Sequence, residues 1–188
     1  MGVPDYRIYV TGAAGSGVTT LGRALSDAFS TVHVDCDDVY WMPTDPPYTT
    51  KRPAAERVPL IRRALGDGGW VLTGSFDGWG DPLIDRVDLI AFLSTAQPVR
   101  LARLAARERS RFGDRILPGG DMEGINRSFM DWAAGYEQPG FNGRNRARHE
   151  AWLARQMAPV LRLDGEMPPP VLVATVAAEL ARFGRPAG

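Results

Sequence analysis

The sequence lacks the features that mark disulfide-stabilised, membrane-spanning and polyanion-binding proteins. Its single cysteine, Cys36, excludes an internal disulfide framework and is typical of a reducing cytoplasm, where we expect the protein to reside. No apolar run approaches the ~18 residues of a membrane helix, and the first residues lead into a strand without a signal-peptide pattern. Basic and acidic residues number 22 each, so no nucleic-acid partner is expected.

Histidine and lysine are also scarce. His33 and His149 lie far apart in the sequence and have no set of cysteine partners, so the spacing of a metal-binding cluster is absent. The one lysine, Lys51, stands against twenty-one arginines, a bias that a GC-rich genome would also produce. Phosphate bound by this chain would therefore be neutralised mainly by arginine, whose planar guanidinium suits two phosphate oxygens at once.

A glycine-rich loop follows the first predicted strand and has the spacing of a phosphate-binding P-loop. Gly12, Gly17 and Thr19 match the pattern Gly, four residues, Gly, Lys, Ser or Thr, but Val18 stands at the lysine position. A strand, a glycine loop and a helix N-terminus direct backbone N–H groups at a phosphate, although a simple tight turn would use some of the same glycines. The predicted phosphate-binding residues are Gly12, Ala13, Ala14, Gly15, Ser16, Gly17, Val18, Thr19 and Thr20.

The same glycines do not fit a short-chain dehydrogenase. That pattern needs glycine at positions 16 and 18, where this chain has Ser16 and Val18. A catalytic Tyr-x-x-x-Lys pair is also missing, because Lys51 lies three residues after Tyr48 instead of four. A nicotinamide-binding function is therefore disfavoured.

Strands and helices alternate along the chain. The patterns predict strands at 7–10, 32–34, 69–73, 87–93 and 160–163, and helices at 18–29, 54–65, 98–111, 122–134, 144–156 and 169–183. Such alternation predicts an α/β fold whose parallel sheet is covered by helices on both faces. Since ligands bind at the carboxyl ends of parallel strands, the segments 12–20, 35–38 and 74–80 should meet at one edge of the sheet.

In this order, the motifs resemble those of small P-loop kinases of the nucleoside-monophosphate and shikimate kinase group. The chain is most similar to adenylate-kinase-related proteins of the topology-modulation or AAA-family ATP-binding type. The resemblance spans nearly the whole chain, and only its loop motif is specific by itself. The segments that carry it are Thr11–Thr20, Asp35–Trp41, Trp70–Phe76, Arg100–Arg111, Phe129–Trp132 and Arg144–Arg146.

The resemblance implies a fold and an activity. It implies a single three-layer P-loop domain over 1–188, with a five-stranded parallel sheet in the order 2-3-1-4-5. It implies an acceptor-binding segment at about 36–66 and a small helical lid at about 112–147. The activity implied is transfer of the γ-phosphoryl group of ATP to a small-molecule acceptor, with Mg²⁺ as cofactor.

Three departures from the family pattern leave an alternative open. Val18 replaces the lysine that bridges the β- and γ-phosphates, and Thr73 stands where many relatives carry an aspartate. The segment 74–77 has no arginine of the kind that binds a nucleotide acceptor, which favours an uncharged or hydroxyl-bearing acceptor. The alternative is a degenerate nucleotide-binding module with little or no transfer activity.

An acidic cluster follows the second strand. Two members of the set Asp35, Asp37 and Asp38 can orient water on Mg²⁺ and accept a proton from an acceptor hydroxyl. We predict Asp35 and Asp37 as catalytic residues, and Thr19 with Asp35 as metal ligands. The alternative interpretation is that Asp37 or Asp38 merely caps a helical turn.

Arginines recur on one face of the helix at 98–111, namely at 100, 103, 107 and 111. Like charges at this spacing repel, so the face is easier to explain if carboxylates or phosphates meet it, although a solvated surface is the alternative. By the family resemblance we predict Arg103 and Arg107 as catalytic residues, and Arg144 and Arg146 as lid residues that bind the nucleotide. One of these four could replace the missing lysine, with Lys51 as the other candidate.

Overall fold

The structure is a computed structural model that describes residues 5–76 and 78–183. Helices and strands alternate as the sequence predicts, with short 3-10 helices at Asp81–Arg86, Gly113–Ile116 and Gly135–Glu137. The strands are β1 Arg7–Gly12, β2 Val32–Asp35, β3 Trp70–Thr73, β4 Leu89–Ser94 and β5 Val160–Asp164. The helices are α1 Val18–Phe29, α2 Cys36–Tyr40, α3 Ala54–Leu65, α4 Gln97–Phe112, α5 Glu123–Ala134, α6 Arg146–Leu153 and α7 Pro169–Phe183.

All five strands are parallel and lie in the order β2-β3-β1-β4-β5, which confirms the predicted fold class. β1 is central, with β3 on one side and β4 on the other. The chain adds β2 and β3 on one side of β1 and then β4 and β5 on the other. Such a switch point opens a crevice at the carboxyl ends of the strands. The loop after β1 therefore begins in the position where an α/β sheet binds its ligands.

Helices cover both faces of the sheet, and successive apolar side chains of β1 point alternately into the two cores that result. Ile8 and Val10 face a core that includes Leu21 and Leu25 of α1 and residues 172, 176 and 180 of α7. Tyr9 faces the opposite core, which α3 and α6 complete. Removing these side chains from water supplies about 25 cal/mol per Å² of apolar surface, so both helical layers are needed to stabilise a parallel sheet.

Several predicted element boundaries differ from the structure by one to three residues. Val87 donates its N–H to the Ile84 carbonyl at 2.9 Å and so closes a 3-10 helix, and β4 begins only at Leu89. The helix predicted at 144–156 is shorter, because the Asn145 side chain accepts a hydrogen bond from the Arg148 N–H and caps α6. Within the described residues, no helix is both long and apolar enough to cross a bilayer.

Candidate active site

The loop between β1 and α1 has the backbone of a phosphate-binding loop. Gly15 and Gly17 adopt φ angles of 81° and 100°, which side chains disfavour. A Cβ at Gly15 would also approach the Arg100 carbonyl oxygen to 2.6 Å. No side chain caps α1 at Gly17, so the first N–H groups of this helix have no side-chain acceptor. The helix N-terminus is thus available to an anion at the mouth of the loop.

A hydroxyl and a carboxylate meet beside this loop. Thr19 Oγ1 donates a 2.8 Å hydrogen bond to Asp35 Oδ2. The other carboxylate oxygen of Asp35 accepts from the Asp37 N–H at 3.0 Å and caps α2. The helix-capping role considered for Asp37 or Asp38 therefore belongs to Asp35, whose extended backbone at the end of β2 suits an N-cap.

The donor set at Thr19 and Asp35 fits Mg²⁺ in its chemistry. Both donors are hard oxygens, and Mg²⁺ commonly takes one or two protein oxygens, with phosphates and waters as the remaining ligands. Among residues 5–76 and 78–183, no group of three or more His, Cys, Asp or Glu side chains could enclose a metal ion. The arrangement therefore suits a metal shared with a bound phosphate chain better than a metal enclosed by protein.

Asp37 comes two residues after the capping Asp35, in the first turn of α2. Burial of its carboxyl among the surrounding chain, together with the negative charge of Asp35, raises its pKa above the usual range. The positive charges of Arg144 and Arg107 act in the opposite direction and lower this pKa. A carboxylate with a raised pKa is a stronger proton acceptor than an ordinary aspartate, as a general base requires.

Thr73 lies across from Asp35 in the β2–β3 register, at the position where an aspartate was expected from the family resemblance. Its hydroxyl contacts His33 Nε2 at 2.9 Å and reaches the Val34 carbonyl at 3.5 Å. Burial lowers the pKa of His33, so this contact joins two uncharged groups at neutral pH. Asp35 therefore has no second carboxylate at this register position.

The arginines of α4 have partners that the spacing alone did not reveal. Arg100 is fully buried and donates to the Ala14 carbonyl at 3.1 Å and to Glu137 Oε1 at 3.3 Å. Arg103 donates to the Gly165 carbonyl at 2.9 Å. Arg107 pairs with the buried carboxylate of Glu108 at 2.8 Å, and Arg111 donates to the Tyr48 hydroxyl. This face of α4 therefore contacts carbonyl, carboxylate and hydroxyl oxygens, and Arg100 holds the P-loop through the Ala14 carbonyl.

The two predicted lid arginines have different surroundings. Arg146 pairs with Glu137 at 2.8 Å and donates to the Ser94 hydroxyl at 3.3 Å. Arg144 has its guanidinium 5.4 Å from the centre of the Trp132 ring, and its buried Nε has no hydrogen-bond partner among the described residues. Arg146 thus lies at the end of β4. The charge of Arg144 acts instead on the carboxyl of Asp37.

A buried chain of hydrogen bonds connects β1 to the lid segment, and sequence reasoning missed it. His149 Nε2 contacts the Thr11 hydroxyl at 3.2 Å, and His149 Nδ1 contacts the Tyr136 hydroxyl at 3.0 Å. Burial raises the pKa of Tyr136 to about 12. Glu137, which binds both Arg100 and Arg146, follows directly in the chain and was also missed. A histidine and a tyrosine thirteen residues apart carry no sequence signal for such a contact.

An open cavity of about 540 Å³ lies at the carboxyl ends of β4 and β5. Both arginines of its lining are paired, Arg146 with Glu137 and Arg162 with Glu150, and Glu166 accepts from the Ala96 N–H at 3.1 Å. The cavity and the Thr19–Asp35 pair lie on opposite sides of the central P-loop. Its lining residues are Ser94, Thr95, Ala96, Gln97, Glu137, Arg146, Arg162, Leu163, Asp164 and Glu166.

The segment after β2 forms the other wall of the site. Trp41 and Lys51 form an antiparallel bridge that closes a loop, and the Lys51 ammonium lies 5.8 Å from the centre of the Tyr40 ring. An ion pair of 2.7 Å between Asp45 and Arg115 joins this loop to the 3-10 helix Gly113–Ile116. In the segment after β3, residue 77 lies outside the described residues.

One curated relative shows the family of this chain. The uncharacterized protein YqaC of Bacillus subtilis (strain 168) is 39% identical over 160 residues, which cover 85% of this chain and 88% of that protein. The chain therefore belongs to the same family as YqaC. No protein-family model matches the sequence.

Two solved kinase structures share this fold. Gluconokinase from Sinorhizobium meliloti 1021 superimposes with a TM-score of 0.54 at 18% identity, over 95% of this chain and 93% of that one. Shikimate kinase from Bacteroides thetaiotaomicron superimposes with a TM-score of 0.51 at 19% identity, over 94% of this chain and 98% of that one. At such low identity the likeness shows a P-loop kinase fold and no particular acceptor.

Proposed function

We propose that this member of the family is an ATP-dependent kinase that transfers the γ-phosphoryl group to a hydroxyl of a small molecule. The observation that carries the proposal is the 2.8 Å contact between Thr19 and Asp35, placed beside a P-loop with left-handed glycines. A tight turn without a ligand would need neither the hydroxyl nor the carboxylate. Phosphoryl transfer needs both, because it depends on positioning and on balancing negative charge.

The nucleotide would lie across the central strand. Its β- and γ-phosphates would accept hydrogen bonds from the loop Gly12–Thr20 and the N-terminus of α1. Its nucleoside would occupy the cavity of about 540 Å³ beside β4 and β5, with Arg146 at the edge. Arg103, which donates to the Gly165 carbonyl, would support the same wall. This orientation leaves the γ-phosphate on the side of Asp35 and Asp37.

Transfer would proceed at the Asp37 end. The acceptor oxygen forms a bond to the γ-phosphorus, while the bond from that phosphorus to the β,γ-bridging oxygen breaks and its electron pair remains on ADP. Asp37 takes the proton of the acceptor hydroxyl, and the positive charge of Arg107, which lowers the pKa of Asp37, would help to balance charge there. Mg²⁺, held by Thr19 and Asp35, would neutralise charge on the β- and γ-phosphate oxygens when bound.

Two segments would complete the site. Residues 36–66 would bind the acceptor, since they begin at the acidic cluster and form the wall with Tyr40 and Trp41. Residues 112–147 would act as the lid, because Arg144 and Arg146 both extend from its carboxyl end. The absence of an arginine from 74–76 favours a hydroxyl-bearing acceptor over a nucleoside monophosphate.

The test is titration of the protein with ATP, GTP and ADP in the presence and absence of Mg²⁺ by calorimetry, followed by an acceptor screen for ADP release. We expect Mg²⁺-dependent ATP binding and ADP release with at least one polyhydroxy compound. If no nucleotide binds, the proposal is wrong.

Val18 favours one second candidate, a nucleotide-binding module without transfer activity. A P-loop that lacks its lysine can still bind phosphate through backbone N–H groups, yet it has lost a charge that stabilises the transferring group. This candidate predicts ATP binding with no ADP release for any acceptor in a broad screen. The same titration and screen therefore separate the two functions.

A further inference from the structure

Position 18 cannot supply a positive charge to the loop. Val18 is partly buried and packs against the core between the sheet and the α1–α7 layer. Its side chain thus contributes to folding where a lysine would contribute to phosphate binding. If the proposed kinase function holds, another cation must lie close to the β- and γ-phosphates.

We infer that Arg144 supplies the charge that the P-loop lacks at Val18. The inference rests on the proposed function, and it selects one residue from the four arginines and one lysine that the sequence offers. It assigns Arg144 to the β,γ-phosphate position, so that the lid segment provides what the loop itself does not.

The other three arginines already have partners. Arg103 donates to a backbone carbonyl, and Arg146 is paired with Glu137. Arg107 pairs with Glu108 at 2.8 Å, and Glu108 is buried, so separating this pair would leave a carboxylate without its cation. Among the described residues, Arg144 is the one member of the four with no hydrogen bond or ion pair.

Lys51 is a poorer candidate because of its position. It lies across the acceptor wall, on the bridge to Trp41, with its ammonium 5.8 Å from the centre of the Tyr40 ring. A cation in that position would contact the acceptor and not the phosphates of the nucleotide. Its side chain is also exposed, and an exposed ammonium is strongly hydrated and weaker against a phosphate.

The backbone on both sides of Arg144 is held in place. The Asn145 side chain donates to the Phe141 carbonyl at 2.9 Å and accepts from the Arg148 N–H at 2.9 Å, and this asparagine is only 4% exposed. The ring of Trp132 supports the guanidinium plane. Arg144 therefore pays little conformational entropy to present its free N–H groups to a ligand.

The location of this guanidinium matches the proposed role. Two residues after Arg144, Arg146 donates to the Ser94 hydroxyl at the end of β4, at 3.3 Å. His149 contacts the hydroxyl of Thr11, the residue before Gly12 of the loop, at 3.2 Å. The segment that carries Arg144 therefore lies at the carboxyl ends of β1 and β4, where the phosphates would bind.

During transfer, negative charge accumulates on the β,γ-bridging oxygen as its bond to the γ-phosphorus breaks and the bond to the acceptor oxygen forms. A guanidinium bound to the γ-phosphate oxygens would lie next to the bridging oxygen and would stabilise this charge as it develops. The proton of the acceptor hydroxyl still passes to Asp37, so Arg144 exchanges no proton. It would contact ATP through the γ-phosphate and contact ADP much less.

The test is calorimetry of four proteins with Mg²⁺ and either ADP or an ATP analogue carrying an imido bridge between the β- and γ-phosphates. The proteins are the wild type, Arg144→Ala, the control Arg155→Ala and the double variant Val18→Lys with Arg144→Ala. Losing charge-assisted hydrogen bonds should weaken analogue binding by Arg144→Ala by about 10- to 100-fold. ADP binding should change by less than about threefold, and Val18→Lys should restore most of the loss.

The outcomes separate this inference from the proposed function. If the wild type binds neither nucleotide, the kinase proposal itself is wrong. If the wild type binds and Arg144→Ala matches the Arg155→Ala control, Arg144 does not provide the charge. Failure of Val18→Lys to restore analogue binding would likewise overturn the assignment of Arg144 to the lysine position.

Discussion

The two ends of the ligand-binding edge differ in how their charges are matched. At the β4–β5 end, which we call the paired end, Glu137 binds Arg100 and Arg146, and Glu150 binds Arg162. At the β2 end, which we call the acidic end, Asp35 contacts only neutral donors. Arg144, whose charge lowers the pKa of Asp37, contacts the Trp132 ring but has no hydrogen bond or ion pair among the described residues. Opposite charges thus coexist at the acidic end without forming ion pairs.

This difference indicates which part of a ligand belongs at each end. The paired end offers a polar cavity whose two guanidinium groups, Arg146 and Arg162, are already held by carboxylates, which suits the uncharged groups of a nucleoside. An acidic end with free carboxylates and a free guanidinium suits a divalent cation and phosphoryl oxygens, whose charges complete the pairs. A cluster of charged groups that lack ion-pair partners within the protein is typical of a site that binds a charged ligand.

The substitution Asp35→Asn tests the acidic end most directly and should have the largest effect. The amide oxygen can still cap α2, so the fold should persist, but the negative charge beside Thr19 is lost. We expect turnover to fall by about 10²- to 10³-fold, the scale of losing one stabilising group in an active site. The measurement is kcat against Mg²⁺ concentration, with the exposed Asp27→Asn as control. Turnover within a few-fold of the control would contradict the metal assignment.

Gly15→Ala tests the loop between the two ends. Alanine is strained at φ 81°, and its Cβ would meet the Arg100 carbonyl oxygen at 2.6 Å. Gly119→Ala is the matched control, because its φ is 83° and nothing lies within 4 Å of its Cβ. Both variants should lose about 1–2 kcal/mol to backbone strain, and Gly15→Ala should lose more. Chemical denaturation measures the difference, and equal losses would show that Arg100 does not crowd the loop.

Glu137→Gln tests the paired end. Burial lowers the pKa of the Arg100 guanidinium, and Glu137 opposes this by stabilising the charge. Arg100 is fully buried and Glu137 is partly exposed, so we expect a loss of about 2 kcal/mol in the free energy of unfolding. The exposed i,i+4 pair partner Glu123→Gln should lose less than about 0.5 kcal/mol. Similar losses in the two variants would contradict the structural role of the buried pair.

Glu150→Gln should have the smallest effect. Hydrogen bonds from Arg162 lower the pKa of Glu150 below its ordinary value of 4.5, but both side chains are substantially exposed. The pair should contribute about 0.5 kcal/mol at neutral pH after solvent screening. Because the folded pKa is depressed, this contribution is complete above pH 4.5 and is lost as the pH falls below it. Denaturation at several pH values measures it, and a difference that grows in acid would contradict the sign.

The fold was largely predictable because its signals are local. The run at 7–10, the glycines after it and the periodicity from Val18 all act within a few turns of chain, and the structure confirms the sheet order that the resemblance implied. Capping was considered only for Asp37 or Asp38, as an alternative, and the residue that caps α2 is Asp35, because the cap depends on where β2 ends. The residue assignments of the active site stay predictions, supported by their convergence at one edge.

The sequence by itself determined the loop, with its phosphate-binding spacing and its missing lysine, because the conformations of neighbouring residues suffice to form it. What only the tertiary structure decided is which arginine remains free. Arg100 finds Ala14 across 86 residues, and Arg103 finds Gly165 across 62. The packing of helices on the sheet determines partners that are so distant in sequence. Helical spacing alone does not distinguish one of these arginines from another.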